Sequence, residues 1–220
     1  MKKPKLSEIV YKTIKEKIIS NEFMPGQTLQ EQDLAEMLDV SRTPVREALF
    51  QLAQDGWVDM NSQKSIVVQK VTLKDIDDIF ELRALIEAYV LEEIFRNSLN
   101  RKLAGELDAV VQEMKGTLRD PGTFSLCDRR FHAAFVEILE NGRLNRFWER
   151  ITEEITRIGI LGTKSSEAVL ASVVDEHQKL AEALWNGNRE EAALFLRQIR
   201  TKTYENLIKE IAVSQPPLAE

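Results

Sequence analysis

The chain has 220 residues, 43% hydrophobic and 30% charged, with a net charge of −6 and a single cysteine, Cys127. That length suits two domains and the composition is ordinary for a globular protein. One cysteine excludes an intrachain disulfide and a multi-cysteine zinc site, and no apolar run reaches the roughly 18 residues of a membrane-spanning helix.

The basic opening MKKPKLSEIV has no apolar signal core behind it, which predicts a cytoplasmic protein. Residues 7–20 place Ile9, Val10, Ile14, Ile18 and Ile19 on one stripe of a helix, with Ser7 as its N-cap. Pro25-Gly26 marks a turn. A short helix over 31–39 follows, then a break at Asp39-Val40-Ser41 and a helix over 43–56. In that helix Pro44 suits the first turn and Gly56 the stop. Two short strands, 57–60 and 65–69, flank a polar tip. Three helices and a hairpin in about 70 residues make a winged helix-turn-helix with a small β-hairpin wing. From Leu73 the pattern stays helical, with helices over 73–96, 101–118, 122–140, 143–161, 167–186 and 189–212. The breaks between them are Asn97-Ser98, Pro121-Gly122, Asn141-Gly142, Gly162-Thr163 and Gly187-Asn188, and the tail SQPPLAE reads as frayed. The fold class is therefore mainly α, with residues 1–70 as the winged domain and residues 71–220 as an all-α bundle. Cys127 reads as a small half-buried filler in one of its helices.

The stretch LAEMLDVSRTPVREALFQL, residues 34–52, repeats apolar residues at helical spacing through Leu34, Met37 and Leu38, then Val45, Ala48, Leu49 and Leu52. Arg42 and Arg46 are four apart and share a face of the second helix, with Thr43 beside them. Such a polar, cationic leading face suits a phosphate-lined groove. The alternative is a solvated face on which the arginines pair with Asp39 or Glu47. Residues 1–70 hold ten acidic and ten basic residues, so the acidic excess lies wholly in residues 71–220 and does not repel the first third from nucleic acid.

GQTLQEQDLAEMLDVSRTPVREALFQLAQDGWV, and VSRTPVREAL above all, resembles the DNA-binding domain of GntR-type bacterial transcription regulators. ELRALIE at 81–87, DRRFHAAFVEILEN at 128–141 and EHQKLAEALWNGNREEA at 176–192 resemble the FCD ligand-binding domain of the FadR subfamily. The resemblance assigns base or phosphate contacts to Arg42, Thr43 and Arg46, chemistry that arginine and hydroxyl groups at a helix N-terminus support. Gln32 stands where the family often has a basic residue; it can still donate to DNA but adds no charge. The wing tip NSQKS has no glycine, so Gln63 or Lys64 takes the minor-groove role there.

The chain has two histidines. Asp128 and His132 are four apart on one helix and can point at one ion, and His177 lies on another. In FCD domains the matching positions, with a third histidine, hold a divalent metal that contacts an acidic effector. The third should fall near residue 199, where this chain has Ile199, on the inward face with Ala192, Phe195 and Leu196. Three protein ligands suffice for zinc, and nickel or manganese with added waters is the other option. The competing readings are a metal-free acyl-binding pocket of the FadR kind and two satisfied core histidines with Asp128 as partner. Arg200 stands one residue from the missing ligand and is a remote candidate to replace the metal's charge. Arg83 and Glu87 are spaced for a surface ion pair; the resemblance instead turns Arg83 into the pocket to grip an effector carboxylate.

These features imply a ligand-responsive transcription regulator that binds a palindromic operator as a homodimer and a small acidic metabolite in its bundle. A metal-dependent bundle enzyme is the alternative suggested by the Asp/His/His set, although no Glu-x-x-His pair accompanies it. An architectural DNA-binding protein whose bundle only dimerises is a third.

Overall fold

The computed structural model describes residues 4–60, 65–160 and 166–214. They fall into two compact units, residues 1–72 and 73–220.

The first unit runs α1 (Leu6–Ile19), β1 (Thr28–Leu29), α2 (Glu31–Met37), α3 (Arg42–Gln54), β2 (Val58–Met60) and β3 (Ile66–Val68). Helix α1 buries Val10, Ile14 and Ile18, a narrower i, i+4, i+8 stripe than expected, while Ile9 stays half exposed. The helix starts one residue before the expected cap: the Glu8 carboxylate accepts from the Lys5 backbone N–H at 3.2 Å, and Ser7 lies inside the helix. Helix α3 packs on α1 through Val45, Ala48, Leu49 and Leu52, all essentially inaccessible, and Trp57 and Val68 close the same core. The sheet has a third strand that the periodicity did not reveal. Its order is β1-β3-β2, all antiparallel, with Leu29 opposite Ile66. Two residues are too few to alternate visibly. Gly26 delivers the chain to that edge. Its φ is +81°, and a Cβ there would lie 3.1 Å from the Lys70 side chain, so the turn needs glycine. The residues between α2 and α3 turn through Asp39 at φ +52°, a left-handed position that aspartate tolerates.

The second unit is all helical among its described residues: α4 (Leu73–Arg96), α5 (Asn100–Lys115), α6 (Pro121–Glu137), α7 (Gly142–Ile160), α8 (Glu167–Trp185) and α9 (Arg189–Ser214). The starts are chemically marked. The Asp120 carboxylate accepts from the Thr123 N–H ahead of Pro121, and Ser166 accepts from Val169. Ser98 and Gly187 supply left-handed residues at two of the turns. The core joins α4, α5, α6, α8 and α9 through residues such as Ile94, Leu107, Phe131, Phe135, Leu180 and Leu196. Cys127 is buried within it rather than half buried. The expected break at Gly162-Thr163, the wing-tip residues Gln63 and Lys64, and the tail beyond Ser214 lie outside the described residues. No described helix is long and apolar enough to cross a membrane.

Candidate nucleic-acid interface and candidate metal centre

In the first unit, α3 turns Val45, Ala48, Leu49 and Leu52 inward, which by helical geometry leaves Arg42, Thr43 and Arg46 outward. The side chains of Arg42 and Arg46 are 67% and 77% exposed. The arginines do not pair with Asp39 or Glu47, the partners expected of a solvated face. Both reach back to Glu31 at the start of α2, Arg42 Nη2 at 3.3 Å and Arg46 Nε at 3.8 Å. Glu31 thus gathers the two cations on one side of the helix-turn-helix. Sequence reasoning missed it because the pairing crosses eleven and fifteen residues. Gln32 is exposed and donates to Glu36 at 3.1 Å.

In the second unit, Arg83 and Glu87 come from α4, Asp128 and His132 from α6, His177 from α8, and Ile199 and Arg200 from α9. Arg83, Asp128, His132, His177 and Ile199 line one cavity of about 230 Å³. Arg83 does form the i, i+4 pair with Glu87, at 2.6 Å, but inside the bundle: the two side chains are 3% and 1% exposed. Arg83 also lines the cavity, so the expected pair forms but not on the surface where spacing alone placed it. The second Glu87 oxygen accepts from Arg200 Nη1 at 2.7 Å. Arg200 therefore serves Glu87 rather than standing in for a ligand beside the histidines. Arg83 further lies over the rings of Phe80 and Trp148. The spacing of Arg83 and Glu87 was legible in the sequence, but Arg200 joins them from 113 residues away and carries no sequence signal.

Asp128, His132 and His177 each offer one ligand atom, and these atoms lie within 4.8 Å of one another. Asp128 Oδ1 is 3.2 Å from His177 Nε2, and Oδ2 is 4.0 Å from His132 Nε2. The His177 ring is fixed by its other nitrogen, Nδ1, which lies 2.8 Å from the Val173 carbonyl. A carbonyl only accepts, so Nδ1 carries the proton. Nε2 is buried and makes no aligned hydrogen bond. In the neutral ring it turns a lone pair toward a carboxylate oxygen, an opposition of two acceptors that a cation between them relieves. Burial pushes the Asp128 carboxyl up, but the His177 side chain, His132 and Arg83 outweigh it and hold it at about 2. Burial, reinforced by the Arg83 charge, pushes His132 down to about 3. At neutral pH the set is one carboxylate and a neutral His132, the protonation states that metal ligation requires. The donor set and the orphaned Nε2 fit a divalent ion. Ile199 is 3% exposed and lines the same cavity.

Comparison with known proteins matches each unit to a family. The model of the bacterial regulatory proteins of the gntR family matches residues 6–68, and that of the FCD domain matches residues 78–201. The HTH-type transcriptional regulator YdhC of Bacillus subtilis is 26% identical over 83% of this chain and 82% of its own. The gluconate operon transcriptional repressor of Bacillus licheniformis is 26% identical over 89% of this chain and 76% of its own. Among solved structures, Escherichia coli McbR/YncC shares the fold with a TM-score of 0.77 at 21% identity, covering 95% of this chain and all of the other.

Proposed function

From the premise that the chain belongs to the gntR family of bacterial regulatory proteins and carries an FCD domain, a transcription regulator rather than an enzyme, we propose that it is ligand-responsive. In this reading it acts in the cytoplasm and binds a palindromic operator as a homodimer. Arg42, Thr43 and Arg46 enter the major groove, Gln32 contacts the backbone, and Gln63 or Lys64 reaches the minor groove. A small acidic metabolite occupies the bundle cavity.

The observation that carries this reading is the convergence of Arg83, Asp128, His132 and His177 from three helices on one cavity. Asp128, His132 and His177 would hold a divalent ion. Its charge, when bound, attracts the oxygens of an anionic ligand. Arg83 grips a carboxylate, and Phe124, Leu170 and Leu207 give the ligand's hydrocarbon part an apolar wall. Ligand binding then shifts the populations of bundle conformations that differ in operator affinity. Support for the homodimer comes from α4, where Leu82, Leu85 and Tyr89 form one stripe and are each at least half exposed. Leu85→Glu should yield a monomer in sedimentation and weaken operator binding.

The deciding experiment is thermal melting after chelator treatment, with zinc, nickel or manganese added back. Wild type should gain about 2.7 kcal/mol at a hundredfold excess over Kd. Ile199→His should tighten binding, and His132→Ala should abolish the shift. A wild type that none of the three metals stabilises overturns the metal reading and returns the cavity to a metal-free ligand.

A further inference from the structure

The two histidines of this centre hold their protons on opposite nitrogens. A guanidinium only donates, so the 3.3 Å contact of Arg83 Nη2 with His132 Nδ1 makes that nitrogen the acceptor. The neutral His132 ring then carries its proton on Nε2, the atom facing Asp128. His177 is the reverse: its Nδ1 carries a proton against the Val173 carbonyl, so in the neutral ring Nε2 is bare. His177 therefore offers a cation a lone pair beside Asp128, and His132 offers an N–H.

We infer that Arg83 is a lock on His132, released when a cation binds, so that cation and carboxylate bind cooperatively through this one contact. The inference rests on the metal-and-carboxylate reading above. For His132 to ligate a cation beside Asp128, one proton leaves Nε2 and one is taken up at Nδ1, and the ring stays neutral. Nδ1–H then opposes the Arg83 N–H, two donors face to face, and Nη2 has to leave. Arg83 does not drift away, because Glu87 Oε1 accepts from its Nε at 2.6 Å and Arg200 holds the other oxygen of Glu87 at 2.7 Å. The guanidinium stays clamped at one edge, and the freed edge belongs to a side chain that lines the cavity. A carboxylate is the partner that satisfies it. Each ligand thus removes a cost that the other would otherwise meet, which is positive coupling by linkage.

The chain's two histidines make this directly readable, since a histidine-labelled sample contains only two rings. In the full-length, metal-free protein, long-range nitrogen-15 spectra should show one ring protonated on Nε2 and the other on Nδ1. Adding zinc alone should bring both to the Nδ1–H form. Acetate should then tighten zinc binding roughly fivefold or more, a typical allosteric coupling, and acetamide should not. Arg83→Lys keeps the charge but not the Nη2 contact. It should bind zinc more tightly than wild type and lose the acetate effect. Two Nδ1–H rings in the metal-free protein overturn the inference. Zinc that moves His177 while His132 keeps its Nε2 proton overturns it too, and leaves the metal reading standing. Zinc that moves neither ring overturns both. An acetate effect that survives in Arg83→Lys assigns the coupling to direct coordination and overturns the role of the lock.

Discussion

The two units use the same ion pair in opposite ways. Arg42 and Arg46 meet Glu31 with the arginines more than two-thirds exposed, whereas Arg83 meets Glu87 with both side chains almost wholly buried. An exposed pair is worth at most about 1 kcal/mol and exchanges readily. In the proposed reading that suits groups that trade a carboxylate for a phosphate. A buried pair costs several kcal/mol to desolvate, and removing one partner strands the other, so its geometry is held. That suits an arginine whose edges have to stay aimed at a histidine and a cavity. Exposure, more than residue type, separates a transient contact surface from a preorganised pocket.

The sharpest way to break this comparison is Glu87→Ala. It strands Arg83 and leaves Arg200 without its carboxylate partner, and should cost about 3–5 kcal/mol in urea unfolding. A loss below about 1 kcal/mol would mean that the buried pair behaves like a surface one. Next in size, Arg46→Ala should cost about 1–3 kcal/mol of operator binding, read by fluorescence anisotropy, with no change in melting temperature.

Acid should separate the two units further. His132 is held near 3 in the folded protein, against 6.5 when unfolded, so below pH 6.5 the unfolded chain takes up the proton first. Stability of the metal-free protein is therefore full above pH 6.5 and falls as pH drops toward 3, by about 2 kcal/mol at pH 5. Asp128, lowered to about 2 from 3.8, adds a further loss only below pH 4. In His132→Gln the slope between pH 6.5 and 5 should flatten, as followed by melting temperature. The smallest effect is expected at the other pair: Glu31→Ala should change stability by less than about 1 kcal/mol. Because that change releases two cations, operator affinity at low salt should rise rather than fall.

Much of this molecule was legible as local pattern. The helices of both units follow from apolar residues at 3.6-residue spacing, and α4 runs over the expected residues 73–96. VSRTPVREAL marked the exposed cations, and the i, i+4 spacing of Asp128 and His132, and of Arg83 and Glu87, is a property of any helix that contains them. The inward face of Ile199 followed from the same periodicity. Strand β1 was not legible, because two residues show no period and their place depends on an edge offered by Ile66 and Val67.

The proton positions were beyond the sequence as well. His132 and His177 are the same residue, and they differ because a donor-only guanidinium from α4 meets one and a carbonyl of α8 meets the other. Likewise, spacing paired Arg83 with Glu87, but only packing decided that the pair is buried and completed by Arg200 from α9. Local sequence sets which side chains share a face, since that is fixed by the backbone's own geometry. Which face is dry, and which atom from a distant helix meets it, depends on the contacts of the folded whole.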